Sequence, residues 1–137
     1  MLRPEVTIES LHRRQAGTLP EHYGVRVTGV EEGRVRMELD IMPWMMAPNG
    51  FLHAANLILL ADTCCGYSTM AHLPEGAKGF TTIELKSNFL STAKEGVMRT
   101  ESSAEHLGRT TQVWSATVFN AEGRKLALFR CTQMVLW

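Results

Sequence analysis

Asp62 is the only acidic residue in an otherwise apolar segment, residues 53–71, which is rich in alanine and leucine. A carboxylate in such surroundings is costly unless it is paired or faces a cavity. Two explanations stay open at this level. Asp62 either hydrogen-bonds locally, to Thr63 or to the backbone, or acts on a substrate as a base or nucleophile.

His53 opens the same segment, nine residues before Asp62. If the segment is one helix, these residues turn through roughly 900° and advance about 13 Å, so the two side chains leave opposite faces. They can share a site only if Asp62 of one subunit faces the helix start of another, which a two-fold dimer provides twice. Taken alone, His53 is equally consistent with a structural role.

The start of this helix also offers backbone donors. The first N–H groups, at Ala54 and nearby, lack partners within the helix and can bind an oxyanion. Thioester hydrolysis requires such donors together with a carboxylate. The residue types fit this chemistry, although they do not by themselves single out thioesters.

The surrounding pattern predicts the elements that hold these groups. Segment 53–71 is apolar on nearly all sides, which is typical of a buried helix. A short helix is predicted at residues 7–16, strands at 23–30 and 34–41, and four more strands at 80–90, 97–106, 110–120 and 125–136. One buried helix followed by a hairpin-connected meander predicts an α+β fold, in which an antiparallel sheet wraps a central helix.

The composition limits the functional classes. The 137 residues suit one domain, residues 1–137, and 14 basic residues balance 14 acidic ones. Because the chain carries no net charge, it has no long-range electric field that would attract polyanions. We therefore expect neither a nucleic acid nor a membrane partner. Cys64, Cys65 and Cys131 lack the spacing of metal ligands and predict reduced, buried thiols in a cytoplasmic protein.

Residues 49–55 (NGFLHAA) and 60–63 (LADT) resemble the signature of the phenylacetate-degradation (PaaI-like) hotdog thioesterases. In that signature a His-Gly-Gly sequence precedes an acid, which lies nine residues after the histidine. Residues 80–90 and 108–114 are similar to later strands of the family. The resemblance implies a hotdog fold, a homodimer that pairs into a homotetramer, and an acyl-CoA thioesterase. It implies no metal, and no cofactor other than the coenzyme A of the substrate.

The resemblance also implies roles for individual residues. Asp62 corresponds to the catalytic carboxylate, His53 to a residue that orients the substrate carbonyl or the loop, and the Ala54 amide to the oxyanion donor. Asn49 corresponds to a loop amide that positions substrate or water, and Thr82 to a hydroxyl that holds the attacking water. Arg109 lies where basic residues meet the phosphates of coenzyme A. From the residues alone, Thr82 could equally be a packing residue and Arg109 a solvated turn residue.

The sequence departs from the family pattern at three places. Ala54 and Ala55 replace the two glycines, and Gly66 occupies a position where some relatives carry a hydroxyl. The loop amide of many relatives lies six residues before the histidine, where this sequence has Ala47, whereas Asn49 lies only four residues before it. Two other functions therefore stay open. One is a hotdog enoyl-thioester hydratase or dehydratase, and the other is a non-catalytic protein that binds acyl-CoA.

Overall fold

The computed structural model describes residues 1–137. Two short helices, α1 (Ile8–Gln15) and α2 (Leu19–His22), precede strands β1 (Arg26–Glu31) and β2 (Arg34–Asp40). A 3-10 turn (Pro43–Met45) leads to the long helix α3 (Ala54–Ala71). Strands β3 (Gly79–Phe89), β4 (Val97–Leu107), β5 (Thr111–Phe119) and β6 (Lys125–Leu136) complete the chain.

The six strands form one antiparallel sheet in the order β1-β2-β4-β5-β6-β3. Helix α3 packs against β2, β4, β5, β6 and β3, so the predicted sheet around a central helix is confirmed. The predicted meander is wrong at one connection. Because β4 is paired on both edges, with β2 and β5, strand β3 pairs instead with β6 and ends the sheet.

The early part of the chain also differs from the prediction. A helical turn occupies Leu19–His22, and the first strand begins at Arg26 rather than at residue 23. Proline at the second position of this turn is compatible with a helix start, because that position needs no intrahelical N–H donor. The proline therefore lies in the first turn of a helix, and residues 23–25 do not belong to the first strand.

Helix α3 has two unlike faces. One face is buried against the sheet and carries Leu57, Leu60, Ala61, Cys64 and Cys65. Each large apolar side chain buried there contributes about 1.5–3 kcal/mol. The other face, which is partly exposed, carries these residues at helical spacing: Ala55, Ile58, Leu59, Asp62, Thr63, Gly66, Tyr67 and Met70. Burial on all sides, as the apolar sequence predicted, is thus not achieved within one chain.

Strand β3 is the second incompletely covered element. Its pairing partner β6 lies on one side only, so the other edge offers unpaired backbone groups. Several of its apolar side chains are also exposed to solvent: Ile83 is 50%, Leu85 41% and Phe89 47% exposed. Such an edge is a ready template for pairing with another chain.

Candidate active site

Hydrogen bonds to the preceding loop fix the start of α3. The His53 N–H donates to the Met45 carbonyl at 3.0 Å. The buried Asn56 side chain donates from Nδ2 to the carbonyls of both Met45 and His53, each at 2.8 Å. These bonds hold the first turn of the helix in a single orientation relative to the loop.

His53 is the N-cap of α3, and its ring faces the first turn. Its Nδ1 accepts a hydrogen bond from the Ala55 N–H at 3.0 Å. Because Nδ1 is an acceptor, the ring is neutral in this arrangement and carries its proton on Nε2. The Ala54 N–H has no acceptor within the chain. The helix start therefore presents one free backbone donor and one ring N–H, which are the groups that an oxyanion requires.

Asp62 lies two turns further along α3, on its partly exposed face. Its Oδ1 atom is buried and has no hydrogen-bond partner, so local bonding to Thr63 or to the backbone does not account for this oxygen. Burial raises the pKa of this carboxyl above its usual range, since no donor compensates for the lost hydration. A buried acceptor without a donor is costly and is unusual away from functional sites.

Two adjacent depressions open on this face. The one at Asp62 has a volume of about 370 Å³ and is lined by Leu19, Tyr23, Ala55, Ile58, Leu59, Asp62 and Thr63. The one at the helix start has about 250 Å³ and is lined by Tyr23, Trp44, Met45, Met46, His53, Ala55 and Asn56. Tyr23 and Ala55 belong to both, while His53 and Asp62 line different depressions. The rings of Tyr23 and Trp44 meet edge to face, with 5.1 Å between their centroids.

Thr82 lies on β3 directly opposite Gln133 of β6. Its Oγ1 donates a hydrogen bond to Gln133 Oε1 at 2.8 Å. Phe80, two residues earlier on the same face of the strand, points towards Gly66 of α3, where an added Cβ would lie 3.5 Å from the ring. Thr82 therefore lies on the face of β3 that is turned towards α3.

The sequence profile of the thioesterase superfamily matches residues 49–127, a stretch that includes the end of the loop, all of α3 and most of the sheet. The chain belongs to the thioesterase superfamily. It is a thioester hydrolase, as the resemblance to the hotdog thioesterases implied.

Relatives of this thioesterase are of similar length. It is 28% identical to the proofreading thioesterase EntH of Klebsiella pneumoniae, over 96% of both chains. It is 25% identical to a 1,4-dihydroxy-2-naphthoyl-CoA hydrolase of Listeria monocytogenes, over 83% of this chain and 92% of the relative.

Solved structures confirm the hotdog fold. A mutant thioesterase of Pseudomonas aeruginosa superimposes with a TM-score of 0.92 at 22% identity, covering 98% of this chain and 97% of that chain. The PaaI protein of the E. coli phenylacetic acid degradation operon gives 0.87 at 17% identity, covering 100% and 97%.

Asn49 and Arg109 are predicted site residues of the thioesterase that lie outside both depressions. Asn49 is at the exposed tip of the loop, where its Oδ1 accepts a hydrogen bond from the Phe51 N–H at 3.1 Å. Arg109 is exposed in the turn between β4 and β5, 4.8 Å above the ring of Trp137. It lines a separate cleft of about 640 Å³ between the N-terminal residues and the end of α3.

Sequence reasoning missed three contributors to this region of the thioesterase. Tyr23 was assigned to a strand, whereas it ends α2 and lines both depressions. Asn56 and Gln133 are buried amides that hold the helix start and Thr82. The sequence did contain a signal for two of them. Asn56 is an amide in an apolar helix and Gln133 is an amide in an alternating strand, and each stands at a position that is expected to be buried.

No group of three or more histidine, cysteine, aspartate or glutamate side chains is arranged to hold a metal ion in the thioesterase. Its three cysteines are free and buried. None of its helices combines the length and hydrophobicity that are needed to cross a bilayer.

Proposed function

We propose that the protein is an acyl-CoA thioesterase that works as a homodimer, with Asp62 of one subunit facing the α3 start of the other. The observation that carries the proposal is the buried, unpartnered Oδ1 of Asp62, beside an opening in the surface. An acid kept unpaired at the cost of stability is expected where it performs chemistry. Relatives named as CoA hydrolases support coenzyme A as the thiol part of the substrate.

Two incompletely covered surfaces support the dimer. Strand β3 has an unpaired edge and exposed apolar side chains, and the open face of α3 carries a single charge among apolar residues. Antiparallel pairing of two β3 strands about a two-fold axis would satisfy the backbone groups of both edges. It would also bring the two open helix faces together. Pairing of two such dimers into a tetramer remains a prediction.

The proposed reaction needs only groups of the protein and one water. Asp62, ionised, takes a proton from water as the water oxygen bonds to the thioester carbonyl carbon. The Ala54 N–H and the His53 Nε2–H stabilise the negative charge that develops on the carbonyl oxygen. The intermediate collapses as the C–S bond breaks. The leaving thiolate takes the proton from Asp62, which yields a carboxylic acid and CoA-SH and returns Asp62 to its ionised form.

The depression at the helix start suggests where the acyl group binds. Tyr23, Trp44 and Met46 offer an apolar wall beside the proposed oxyanion donors. Methionine adapts to varied shapes, and the two aromatic rings provide flat contact surfaces. We therefore propose an apolar or aromatic acyl group, which would bury its surface against this wall.

Arg109 and Asn49 have secondary places in this proposal. The guanidinium of Arg109 is held over Trp137 at the edge of a wide cleft and makes no ion pair with a carboxylate, so it is available for a phosphate of coenzyme A. Asn49 uses its side-chain oxygen within its own loop, which leaves its Nδ2 free to donate to substrate or water. We expect the reaction in the cytoplasm, where the free cysteines stay reduced.

A thiol-release assay over short, medium, long and aromatic acyl-CoAs tests the proposal. We expect thiol release with at least one class of acyl-CoA. Asp62→Ala should lower kcat about 10³-fold, and circular dichroism should show that the variant retains the wild-type fold. Near wild-type hydrolysis by Asp62→Ala would contradict the assignment. Binding of coenzyme A without thiol release, or hydration of an enoyl-CoA in place of hydrolysis, would favour one of the two other functions.

A further inference from the structure

A row of polar side chains crosses the inner face of the sheet where apolar residues are the rule. Thr82 of β3 lies opposite Gln133 of β6, which in turn lies opposite Gln112 of β5. Both glutamines are completely buried, with 0% exposure. Burying an amide costs free energy unless its donors and its acceptor are hydrogen-bonded. We therefore expect each of these buried glutamines to have a structural or functional role.

Both ends of the Gln133 amide are hydrogen-bonded. Its Nε2 donates to Cys131 Sγ at 3.3 Å, and its Oε1 accepts from Thr82 Oγ1 at 2.8 Å. The Cys131 thiol also forms a hydrogen bond with Cys65 of α3. This hydrogen bond is the main reason why the pKa of Cys131 is lowered. The amide is thus held between the sheet and the central helix.

This orientation determines what Thr82 can do. Its hydroxyl proton is committed to Gln133, so Oγ1 offers only lone pairs on its exposed side. A hydroxyl in this state accepts a hydrogen bond and does not donate one to a substrate. Phe80 of β3 packs against Gly66 of α3, and Thr82 lies two residues further along β3 on the same face. Asp62 lies one turn before Gly66 on α3, so the row ends close to the proposed catalytic carboxylate.

We propose that Gln133 is a positioning residue that makes the Thr82 hydroxyl an acceptor for the attacking water. One hydrogen of that water points to Asp62 and the other to Thr82 Oγ1. A lone pair of the water then faces the thioester carbonyl carbon, which is the geometry that attack requires. This inference rests on the proposed function, because it assumes that Asp62 acts on a water.

The main test compares two buried glutamines. Gln133→Met removes the acceptor of Thr82, whereas Gln112→Met is the matched control. Gln112 is equally buried, but it bonds to the His72 carbonyl and to Trp114 Nε1 and not to Thr82. We expect Gln133→Met to lower kcat about tenfold with KM unchanged, and Gln112→Met to retain wild-type kcat although both variants unfold at lower temperature.

A second arm approaches the same hydrogen bond from Thr82, whose side chain is exposed on β3. Thr82→Val should lower kcat about tenfold, and Thr82→Ser, which keeps the hydroxyl, should retain it. In the Thr82→Val background, Gln133→Met should cause no further loss, because it acts only through the hydroxyl. Additive losses, or wild-type kcat in Thr82→Val, would overturn the inference.

The two proposals fail in different ways. Wild-type kcat in Asp62→Asn would overturn the proposed function and this inference with it. A large loss in Asp62→Asn combined with wild-type kcat in Gln133→Met would overturn the role of Gln133 alone. Equal losses in Gln133→Met and in the Gln112→Met control would also overturn it, since the effect would then be one of core packing.

Discussion

The two faces of α3 differ in how completely their polar groups are hydrogen-bonded. On the sheet side, Ser68 bonds to Ser102 and to the Cys64 carbonyl, and apolar side chains fill the remaining space. On the open side, Asp62 keeps a buried oxygen without a partner. One helix thus supplies stability with one face and, by our proposal, catalysis with the other. Local violations of packing rules are expected at functional sites.

Substitution on the sheet side should act on stability alone. Leu60 is completely buried against the sheet, so Leu60→Ala should cost about 3 kcal/mol of unfolding free energy. Urea denaturation measures this cost, and kcat of the folded fraction should stay at the wild-type value. A large drop in kcat at unchanged stability would erase the contrast between the two faces.

The open side should depend on the partner subunit. Leu85 is 41% exposed on β3, and Leu85→Lys would place two cations near the proposed two-fold axis. We expect dissociation to monomers by size-exclusion chromatography with light scattering, and a loss of about 100-fold in kcat, because each site draws on both subunits. Asn88→Lys, on the opposite face of the same strand, serves as the control and should remain dimeric. A fully active monomer would contradict the shared site.

The pH dependence of hydrolysis should report Asp62. Burial raises its pKa above the ordinary value of about 3.9, and the proposed base must be ionised. The value of kcat/KM should therefore fall about tenfold per pH unit below this raised pKa and level off above it. The residual activity of Asp62→Asn should lack this limb. An unchanged limb in that variant would assign the titration to another group.

Asp62 should also carry a small cost in stability. Because its pKa is higher in the folded chain than in the unfolded chain, the folded state is favoured when the carboxyl is protonated. That advantage is present below the ordinary pKa and is lost as pH rises through the raised pKa. At neutral pH, Asp62→Asn should therefore raise the unfolding free energy by about 1 kcal/mol. Thermal unfolding should show this gain shrinking as pH is lowered, and a destabilised variant would indicate a structural role.

Parts of the site could be predicted because they depend on local patterns. Asp62 and His53 could be predicted as site residues because an acid in an apolar helix and a histidine at its start are visible in the sequence. Gln133 and Tyr23 were missed because their importance comes from neighbours far away in the chain. The meander prediction failed at β3, since the choice between β4 and β6 as a partner depends on which strand edges are already occupied.

Periodicity and side-chain polarity were enough to predict the central helix, the alternating strands and one acid at a position where burial is costly. Long-range contacts were needed to establish which face of the helix is exposed, which strand ends the sheet and which amide accepts a hydrogen bond from Thr82. Those outcomes depend on long-range pairing, where each backbone edge and each buried polar atom must find a partner in competition with the rest of the chain.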